Sequence, residues 1–219
     1  ALELLVLTHP DLDHIGGASA VLRGVSVRGI LDPGEAVGRE AYLEVLEAAR
    51  ERGVPWRTAR AGDSLALDGM ALRVLAPERG AEAGDGPGAE GGRERDEEGA
   101  NGASLVLELR YGSFAALLAG DAPAASEARF LPRVLSSRVQ LLKVGHHGSA
   151  TSTTPELLER VAPEAALISV GRRNRFGHPH PGVLDRLDGA GARVLRTDRE
   201  GTLVVRARRD GSYRLEGGE

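Results

Sequence analysis

The sequence predicts an α/β fold with mixed sheets. Short apolar runs alternate with amphipathic segments along most of the 219 residues, which is typical of strands and helices that cover each other's apolar faces. Three of the apolar runs lead directly into histidine or aspartate residues. A sheet fixes the ends of adjacent strands, so we expect these polar side chains to converge on one point.

The first half of the chain predicts alternating strands and helices, followed by a run of strands. In order, we expect a strand at 2–7, a helix at 18–23, a strand at 27–31, a helix at 39–52 that ends at Gly53, and strands at 54–57, 64–67 and 71–75. The dipeptide Asp68-Gly69 predicts a hairpin turn between the last two strands.

The second half predicts a hairpin followed by alternating helices and strands. The expected order is strands at 104–110 and 113–119, a helix at 124–131, a strand at 139–144, a helix after Thr154, a strand at 165–170, a helix at 181–190, a strand at 193–195, and a hairpin of 201–207 with 212–215. Thr154 is the expected N-cap of its helix, with Pro155 in the first helical position.

We interpret residues 1–219 as a single domain that carries one long loop. Residues 78–100 hold eight acidic residues against three arginines and have no periodic apolar pattern. Such a segment buries too little apolar surface to offset its ordering entropy, which predicts a disordered, acidic, glycine-rich insertion. The expected strands on both sides make an insertion simpler than a linker between domains.

Composition narrows the function classes. The chain has no cysteine, which excludes disulfides and thiolate metal sites. No apolar stretch approaches the roughly 18 residues that span a bilayer, and no signal peptide is recognisable. The abrupt start favours a piece of a longer protein. From Pro123 onward, 16 basic residues stand against 11 acidic ones. This half could face a polyanion or could simply be a solvated arginine-rich surface.

The hexapeptide His-Pro-Asp-Leu-Asp-His is the densest group of metal-binding side chains in the chain. His9, Asp11, Asp13 and His14 lie within six residues, directly after an apolar run. Two imidazoles and two carboxylates are costly to desolvate together without a compensating cation. The pattern therefore indicates a metal site, and the alternative is a solvated acidic turn with incidental histidines.

Two further strand ends carry similar groups. Gly120-Asp121 follows the run at 117–119, and Gly145-His146-His147-Gly148-Ser149 follows the run at 141–144. A lone Gly-Asp is usually a turn, and a histidine after a strand can be a buried, hydrogen-bonded one. The three strand ends together favour a metal centre more strongly than any one of them does.

These motifs resemble the metallo-β-lactamase superfamily. The pattern His-x-Asp-x-Asp-His-x-Gly-Gly, then Gly-Asp, then His-His-Gly-Ser is similar to that of the superfamily, and more narrowly to the C-terminal domain of ComEC-type DNA-internalisation competence proteins. The resemblance continues through the Asn-Arg-Phe-Gly-His-Pro-His segment at 174–180. It implies a four-layer αββα sandwich of mixed sheets that lacks the usual first strands of that fold.

The chain departs from the superfamily pattern at two internal positions. Asp11 stands where the superfamily usually has histidine, and the segment 101–104, Asn-Gly-Ala-Ser, stands where a further histidine is usual. Asp11 matches the ComEC-like pattern. A ligand set that is richer in carboxylate favours Mn²⁺ relative to Zn²⁺, so we expect two divalent ions, with Mn²⁺ preferred and Zn²⁺ as the alternative.

The resemblance also implies a role for each candidate residue. His9 and Asp11 would hold one metal ion, Asp13 and His14 the second, and Asp121 would bridge both. Sequence alone leaves open whether His146 or His147 is a ligand; we favour His146 and place His147 or His178 near the substrate. We list Asp13, His147 and His178 as catalytic candidates, and Ser149, Thr151, Asn174 and Arg175 as candidate substrate contacts.

The implied function is a metal-dependent nuclease that hydrolyses DNA phosphodiester bonds with water that two metal ions activate. The expected substrate is a single strand, namely the one that is not imported during natural transformation. The remainder of a transmembrane DNA-uptake channel is the expected partner, on the extracytoplasmic face of a bacterial membrane. The alternatives are a hydrolase of a smaller phosphodiester or lactone, and a non-catalytic DNA-handling module.

Overall fold

The structure, a computed structural model, describes residues 1–34, 40–79 and 101–218. Its strands are β1 Leu5–Val6, β2 Ile30–Asp32, β3 Trp56–Thr58, β4 Ser64–Leu67, β5 Met70–Ala76, β6 Val106–Tyr111, β7 Phe114–Leu118, β8 Leu141–Lys143, β9 Ala165–Ile168, β10 Arg193–Arg196, β11 Thr202–Ala207 and β12 Tyr213–Gly218. Its helices include α1 Leu12–Ile15, α2 Ala18–Gly24, α3 Glu40–Glu51, α4 Ala124–Phe130, α5 Pro155–Val161, α6 Pro181–Gly189 and α7 Thr197–Glu200. Two 3₁₀ turns cover Leu131–Arg133 and Gly145–Gly148.

The strands form three sheets. The largest has seven strands in the order β10-β9-β8-β7-β6-β5-β4. Strands β7 to β10 pair in parallel and β4 to β7 pair antiparallel, so the sheet is mixed as predicted. Strands β1, β2 and β3 form a small parallel sheet, and β11 pairs with β12 in a hairpin.

Alternating side chains in the strands show how the layers stack. On β7, Phe114 and Ala116 pack toward β11 and β12, while Ala115 and Leu117 pack against the core that includes residues of α4, α5 and α6. A third core lies between the small sheet and the β4–β7 half of the large sheet, and a fourth joins the small sheet to α2 and α3. These cores define four layers, helices–sheet–sheet–helices. The predicted αββα arrangement is therefore confirmed.

The elements agree with the sequence prediction except at short segments. The hairpin turn at Asp68 and Gly69 has positive φ at both residues, 45° and 79°, as a two-residue turn of type I′ requires. Thr154 caps α5 by accepting a hydrogen bond from the Leu157 amide, with Pro155 at the start. Sequence reasoning missed α1 and α7, because four residues are too few to show a helical period.

Two predicted segments fall partly or wholly outside the described residues. The start of the helix predicted at 39–52 is one, and most of the acidic insertion predicted at 78–100 is the other, since the description ends at 79 and resumes at 101. Of the insertion, Glu78 is described and accepts a hydrogen bond of 2.7 Å from Arg133. Among the described helices, none is long and apolar enough to cross a membrane.

The strand ends bring the polar motifs together. Strands β7, β8 and β9 are parallel, so their carboxyl ends lie at one edge of the large sheet. The end of β1 joins this edge because the Leu105 amide donates to the Thr8 carbonyl at 2.8 Å. The expected convergence of three strand ends is therefore found.

Candidate metal centre

The first group of candidate ligands lies on the turn and short helix that follow β1. The amides of His14 and Ile15 donate to the Asp11 carbonyl at 2.9 Å, which makes Asp11 the N-cap of α1. The Thr8 hydroxyl lies 3.1 Å from Nδ1 of His9 and 3.0 Å from Nδ1 of His14. Because Nδ1 of each ring is engaged there, the Nε2 atoms are the ones presented to the centre.

The buried part of the centre is the inner triad, defined as His9, His14 and Asp121. Their nearest ligand atoms all lie within 4.8 Å of one another. Nε2 of His14 lies 3.1 Å from Oδ2 of Asp121. His9 is only 1% exposed and Asp121 only 2%. The Asp11 carboxylate lies beside this triad, 3.5 Å from Nε2 of His9.

The more exposed part is the outer triad, defined as Asp13, His14 and His147. Nε2 of His147 lies 3.1 Å from Oδ2 of Asp13, 3.2 Å from Nε2 of His14 and 3.3 Å from Oδ2 of Asp121. The Asp13 side chain is 64% exposed, so this side of the centre faces solvent. His14 belongs to both triads, and Asp121 contacts both.

The two histidines after β8 point in different directions. Both adopt the left-handed backbone conformation, with φ of 45° at His146 and 54° at His147. Nδ1 of His147 donates to the Ser169 carbonyl at 2.7 Å, which aims its Nε2 into the outer triad. His146 instead faces the Thr151 hydroxyl at 3.4 Å. The geometry thus places His147, and not the favoured His146, among the other candidate ligands.

The charges of the two triads differ. Burial and the neighbouring His14 lower the pKa of His9 to about 4, so this imidazole is neutral at pH 7. Hydrogen bonds to Asp121 and Asp13 raise the pKa of His147 to about 10. The bond from His147 lowers the pKa of Asp13 to about 2. Without a metal ion, a proton on His147 therefore neutralises part of the negative charge of the two carboxylates.

Asp121 is ionised although it is buried. Burial raises its pKa, but hydrogen bonds from His14 and His147 and the Lys143 ammonium outweigh this and hold the pKa well below its usual range. Among the described residues, Oδ1 of Asp121 has no hydrogen-bond partner, and the Lys143 ammonium lies 3.6 Å away. A buried carboxylate oxygen without a hydrogen bond is costly unless a cation compensates it. The donor set and this oxygen fit a divalent metal ion.

The predicted substrate contacts have different surroundings. Ser149 is buried, and its hydroxyl lies 3.0 Å from that of Thr151, which is exposed. The side-chain amide of Asn174 hydrogen-bonds to the backbone of His178: it donates to the carbonyl at 2.8 Å and accepts from the backbone N–H at 3.0 Å. Arg175 is exposed. Thr151 and Arg175 are thus the more accessible of these residues, while Ser149 and Asn174 brace turns.

His178 lies near the centre but outside both triads. Its ring centroid is 5.6 Å from that of His146. Burial and the neighbouring His146 and His147 lower its pKa. A neutral imidazole can donate one hydrogen bond and accept a proton, which suits contact with a phosphate oxygen better than protonation of a leaving group.

Three supporting residues were missed from sequence. Thr8 orients His9 and His14, and the Ser104 hydroxyl accepts from the Asp121 amide at 3.1 Å while lying 3.3 Å from Nδ1 of His9. Lys143 also donates to the Gly120 carbonyl at 3.1 Å. Lys143 could have been singled out from the sequence, because it is the single lysine among 28 basic residues. Ser104 lies in the segment where a further histidine is usual, but only the fold shows its contacts with Asp121 and His9.

Comparison with known proteins identifies the family of the chain. A family model described as the metallo-beta-lactamase superfamily matches residues 2–172. ComE operon protein 3 of Bacillus subtilis (strain 168) is 36% identical over 205 residues, covering 94% of this chain and 24% of that protein. Recombination protein 2 of Haemophilus influenzae (strain ATCC 51907 / DSM 11121 / KW20 / Rd) is 33% identical over 186 residues, covering 85% and 20%. Competence protein ComA of Neisseria gonorrhoeae is 31% identical over 203 residues, covering 92% and 25%.

The comparison with solved structures gives a similar fold. The structure of CmlA, a diiron beta-hydroxylase from Streptomyces venezuelae, matches with a TM-score of 0.59 at 14% identity, over 89% of this chain and 43% of CmlA. The chain belongs to the metallo-β-lactamase superfamily. The narrower resemblance to ComEC-type proteins is also confirmed by the three relatives, of which the chain spans about a quarter of the length.

Proposed function

We propose that this chain is a metal-dependent nuclease domain that hydrolyses DNA phosphodiester bonds. The observation that carries the proposal is the convergence of the inner and outer triads on the Asp121 carboxylate, whose Oδ2 contacts both His14 and His147 and whose Oδ1 has no hydrogen-bond partner among the described residues. A carboxylate that two ligand groups share is typical of centres in which two metal ions act on one phosphate. Hydrolysis is also the general activity of the superfamily to which the chain belongs.

The residues divide between two metal positions. His9 and Asp11 would hold one ion; Asp13, His14 and His147 would hold the other; and Asp121 would be shared. We therefore assign to His147 the ligand position that sequence left open and for which we favoured His146. When bound, two such ions lower the pKa of water and neutralise charge on phosphoryl oxygens. Three carboxylates among six ligands favour Mn²⁺ over Zn²⁺.

The other residues orient and bind. The Ser169 carbonyl fixes the ring of His147 through Nδ1, so that Nε2 stays directed at Asp13 and Asp121. Neutral His178 and the exposed hydroxyl of Thr151 are placed to donate hydrogen bonds to phosphate oxygens near His146. No side chain needs to act as a nucleophile in this scheme.

DNA is the proposed substrate for two reasons. Three relatives carry names that refer to competence or recombination, which supports a role in DNA uptake. From Pro123 onward the chain has five more basic than acidic residues, and this half carries His147 and the exposed Arg172, Arg173 and Arg175. We further propose that the domain is part of a longer membrane protein on the extracytoplasmic side, where it degrades the strand that is not imported.

The test is cleavage of a labelled single-stranded oligonucleotide during titration with Mn²⁺ or Zn²⁺, with bound metal measured in parallel. We expect Asp13→Ala to lose cleavage by about 100-fold, since even groups that only support a ligand cost 10–100-fold. Asp185→Ala is the matched control, because Asp185 is an exposed aspartate on α6. Undiminished cleavage by Asp13→Ala contradicts the proposed centre.

Variants of the two adjacent histidines, His146 and His147, test which of them is the metal ligand. His147→Gln is expected to lose both cleavage and one equivalent of metal, while His146→Gln retains the metal. The reverse result restores His146 as the ligand. Turnover of a small chromogenic phosphodiester or a lactone, with no oligonucleotide cleaved, favours the hydrolase alternative. A folded, metal-loaded protein that cleaves none of these is instead a DNA-handling module.

A further inference from the structure

Phe176 is an exposed aromatic side chain in a chain that has few aromatics. It is 79% exposed, whereas the other two phenylalanines, Phe114 and Phe130, are buried at 3% and 0%. Exposing a phenylalanine forfeits the favourable free energy that its burial would provide. A lone exposed ring is common on protein surfaces, so its surroundings must decide whether it has a role.

The ring of Phe176 belongs to a row of aromatic side chains that leads into the metal centre. It stacks on His178 with a centroid distance of 6.1 Å and an angle of 18°. His178 lies 5.6 Å from His146, which lies 6.2 Å from His147. The outer end of this row is a solvent-facing ring, and its inner end contacts Asp13 and Asp121.

The loop that carries Phe176 is braced from within and attached to the centre. Asn174 makes two hydrogen bonds to the backbone of His178, which close the loop around Phe176. The His180 amide donates to the Gly148 carbonyl at 2.8 Å. Gly148 packs so tightly that an added Cβ would lie 2.6 Å from Cβ of Pro179. The position of Phe176 is therefore set relative to the turn that carries His147.

The charges around Phe176 favour a polyanion. Arg172, Arg173 and Arg175 are exposed in the same loop, and residues 171–180 include no acidic residue. A flat ring beside guanidinium groups is the combination with which proteins bind single strands, because bases stack on the ring and arginines neutralise phosphates. Bases in a duplex have their faces covered by neighbouring pairs, so the ring selects unstacked nucleotides.

We propose that residues 171–178 form a nucleobase-stacking platform, on which Phe176 holds a base of single-stranded DNA next to the phosphate at the metal centre. This inference rests on the proposed nuclease function for the identity of the strand. Phe176 is a positioning residue, since it contacts a base and not the reacting phosphate. The platform supplies a preference for single strands that the metal triads alone do not.

The experiment compares two labelled oligomers of equal length, one oligothymidylate and one abasic, by fluorescence anisotropy in chelator. A second series in Mn²⁺ uses the Asp13→Ala background to suppress hydrolysis. We expect the wild type to bind oligothymidylate about tenfold more tightly than the abasic oligomer, which corresponds to about 1.4 kcal/mol. Phe176→Ala should abolish this ratio by weakening only the base-bearing oligomer, and Phe176→Trp should keep it.

Two variants serve as references. Leu135→Ala removes another exposed apolar side chain, 60% exposed and two residues after a 3₁₀ turn, and should leave the ratio unchanged. Arg175→Ala should weaken both oligomers equally and reduce the salt dependence of binding by about one phosphate contact. Circular dichroism of each variant identifies any loss of folding, and Phe176→Trp then decides the outcome.

The outcomes separate this inference from the nuclease proposal. A ratio that Phe176→Ala leaves unchanged overturns the platform, even if the protein cleaves DNA. A ratio that depends on Phe176 supports the platform, even if no cleavage is found. Failure of the wild type to bind either oligomer also overturns the platform. So does a result in which Phe176→Ala weakens binding to anionic phosphatidylglycerol vesicles but leaves the oligomer ratio unchanged.

Discussion

The inner and outer triads share His14, but the pKa of the other histidine is shifted in opposite directions in the two triads. The inner triad pairs a buried ionised Asp121 with a His9 whose pKa is lowered to about 4, so its imidazole is neutral at pH 7. The outer triad pairs the exposed Asp13 with a His147 whose pKa is raised to about 10. The inner triad is ready to bind a cation, whereas the outer triad must release a proton from His147 first.

This difference has a structural origin. His9 is enclosed, and its burial together with the neighbouring His14 lowers its pKa more than the nearby Asp121 and Asp11 carboxylates raise it. His147 lies between two carboxylates that each approach its Nε2 within 3.3 Å. The same geometry that stabilises a proton there also suits a metal ion. His14 is the member that the two triads have in common, and Asp121 contacts both.

The largest effect is expected from Asp121→Asn, because the change affects both triads at once. An amide keeps the shape of the side chain but loses the charge and one acceptor oxygen. We expect cleavage to fall by more than about 100-fold and both metal equivalents to be lost, since a supporting group alone is worth 10–100-fold. Elemental analysis and oligonucleotide cleavage measure the two losses.

Asp185→Asn provides the control, as an exposed aspartate that loses the same charge. If Asp121→Asn keeps one metal ion with full affinity, the triads do not share this carboxylate. The description of Asp121 as common to both would then be wrong.

The sequence predicted the position of both triads better than their internal geometry. Because β7, β8 and β9 are parallel, the motifs after β7 and β8 had to meet at one edge, and Asp121 does lie between His14 and His147. The orientation of His146 and His147 could not be predicted. Both residues have left-handed φ on one tight turn, and the long-range contacts of His147 with Ser169, Asp13 and Asp121 are not visible in the sequence.

The supporting groups were beyond prediction for a different reason. Ser104 comes from a segment in which a histidine was expected from the superfamily pattern, and a serine there looks like a missing ligand. In the structure Ser104 supports the centre in a different way, because its hydroxyl accepts a hydrogen bond from the Asp121 amide and lies beside Nδ1 of His9. Sequence reveals the missing ligand but not the hydrogen bonds that the replacement makes.

A smaller effect, confined to one triad, is expected from Ser104→Ala. The change removes the contact to Nδ1 of His9 and leaves the buried Asp121 amide without its acceptor. We expect metal affinity of the inner triad to fall about tenfold, within the range for supporting groups, while the outer triad is unchanged. Competition with a fluorescent chelator resolves the two affinities.

Ser136→Ala is the matched control, since Ser136 is also a buried serine and contacts Glu108 through its backbone amide, which the substitution keeps. Equal losses at both metal equivalents after Ser104→Ala would show that Ser104 supports Asp121 more than His9. The inner triad would then have no separate support.

The smallest effect concerns the stability of the metal-free protein as the pH changes. His147 has a folded-state pKa near 10 against 6.5 when unfolded, so its stabilising contribution is complete below pH 6.5 and is lost as the pH rises toward 10. For His9 the folded-state pKa is about 4, so its contribution is complete above pH 6.5 and is lost as the pH falls toward 4. Asp13, with a pKa of about 2, stays ionised throughout.

Urea unfolding in chelator, from pH 4 to 10, measures both contributions against His147→Gln and His9→Gln. The free energy of unfolding of the wild type minus that of His147→Gln should decrease from pH 6.5 to 10. The corresponding difference for His9→Gln should decrease from pH 6.5 to 4. Because the two slopes have opposite signs, a general effect of pH on the fold cannot produce both. Slopes of the same sign would mean that the triads hold their protons alike, and the contrast between a neutral inner triad and a protonated outer triad would have to be abandoned.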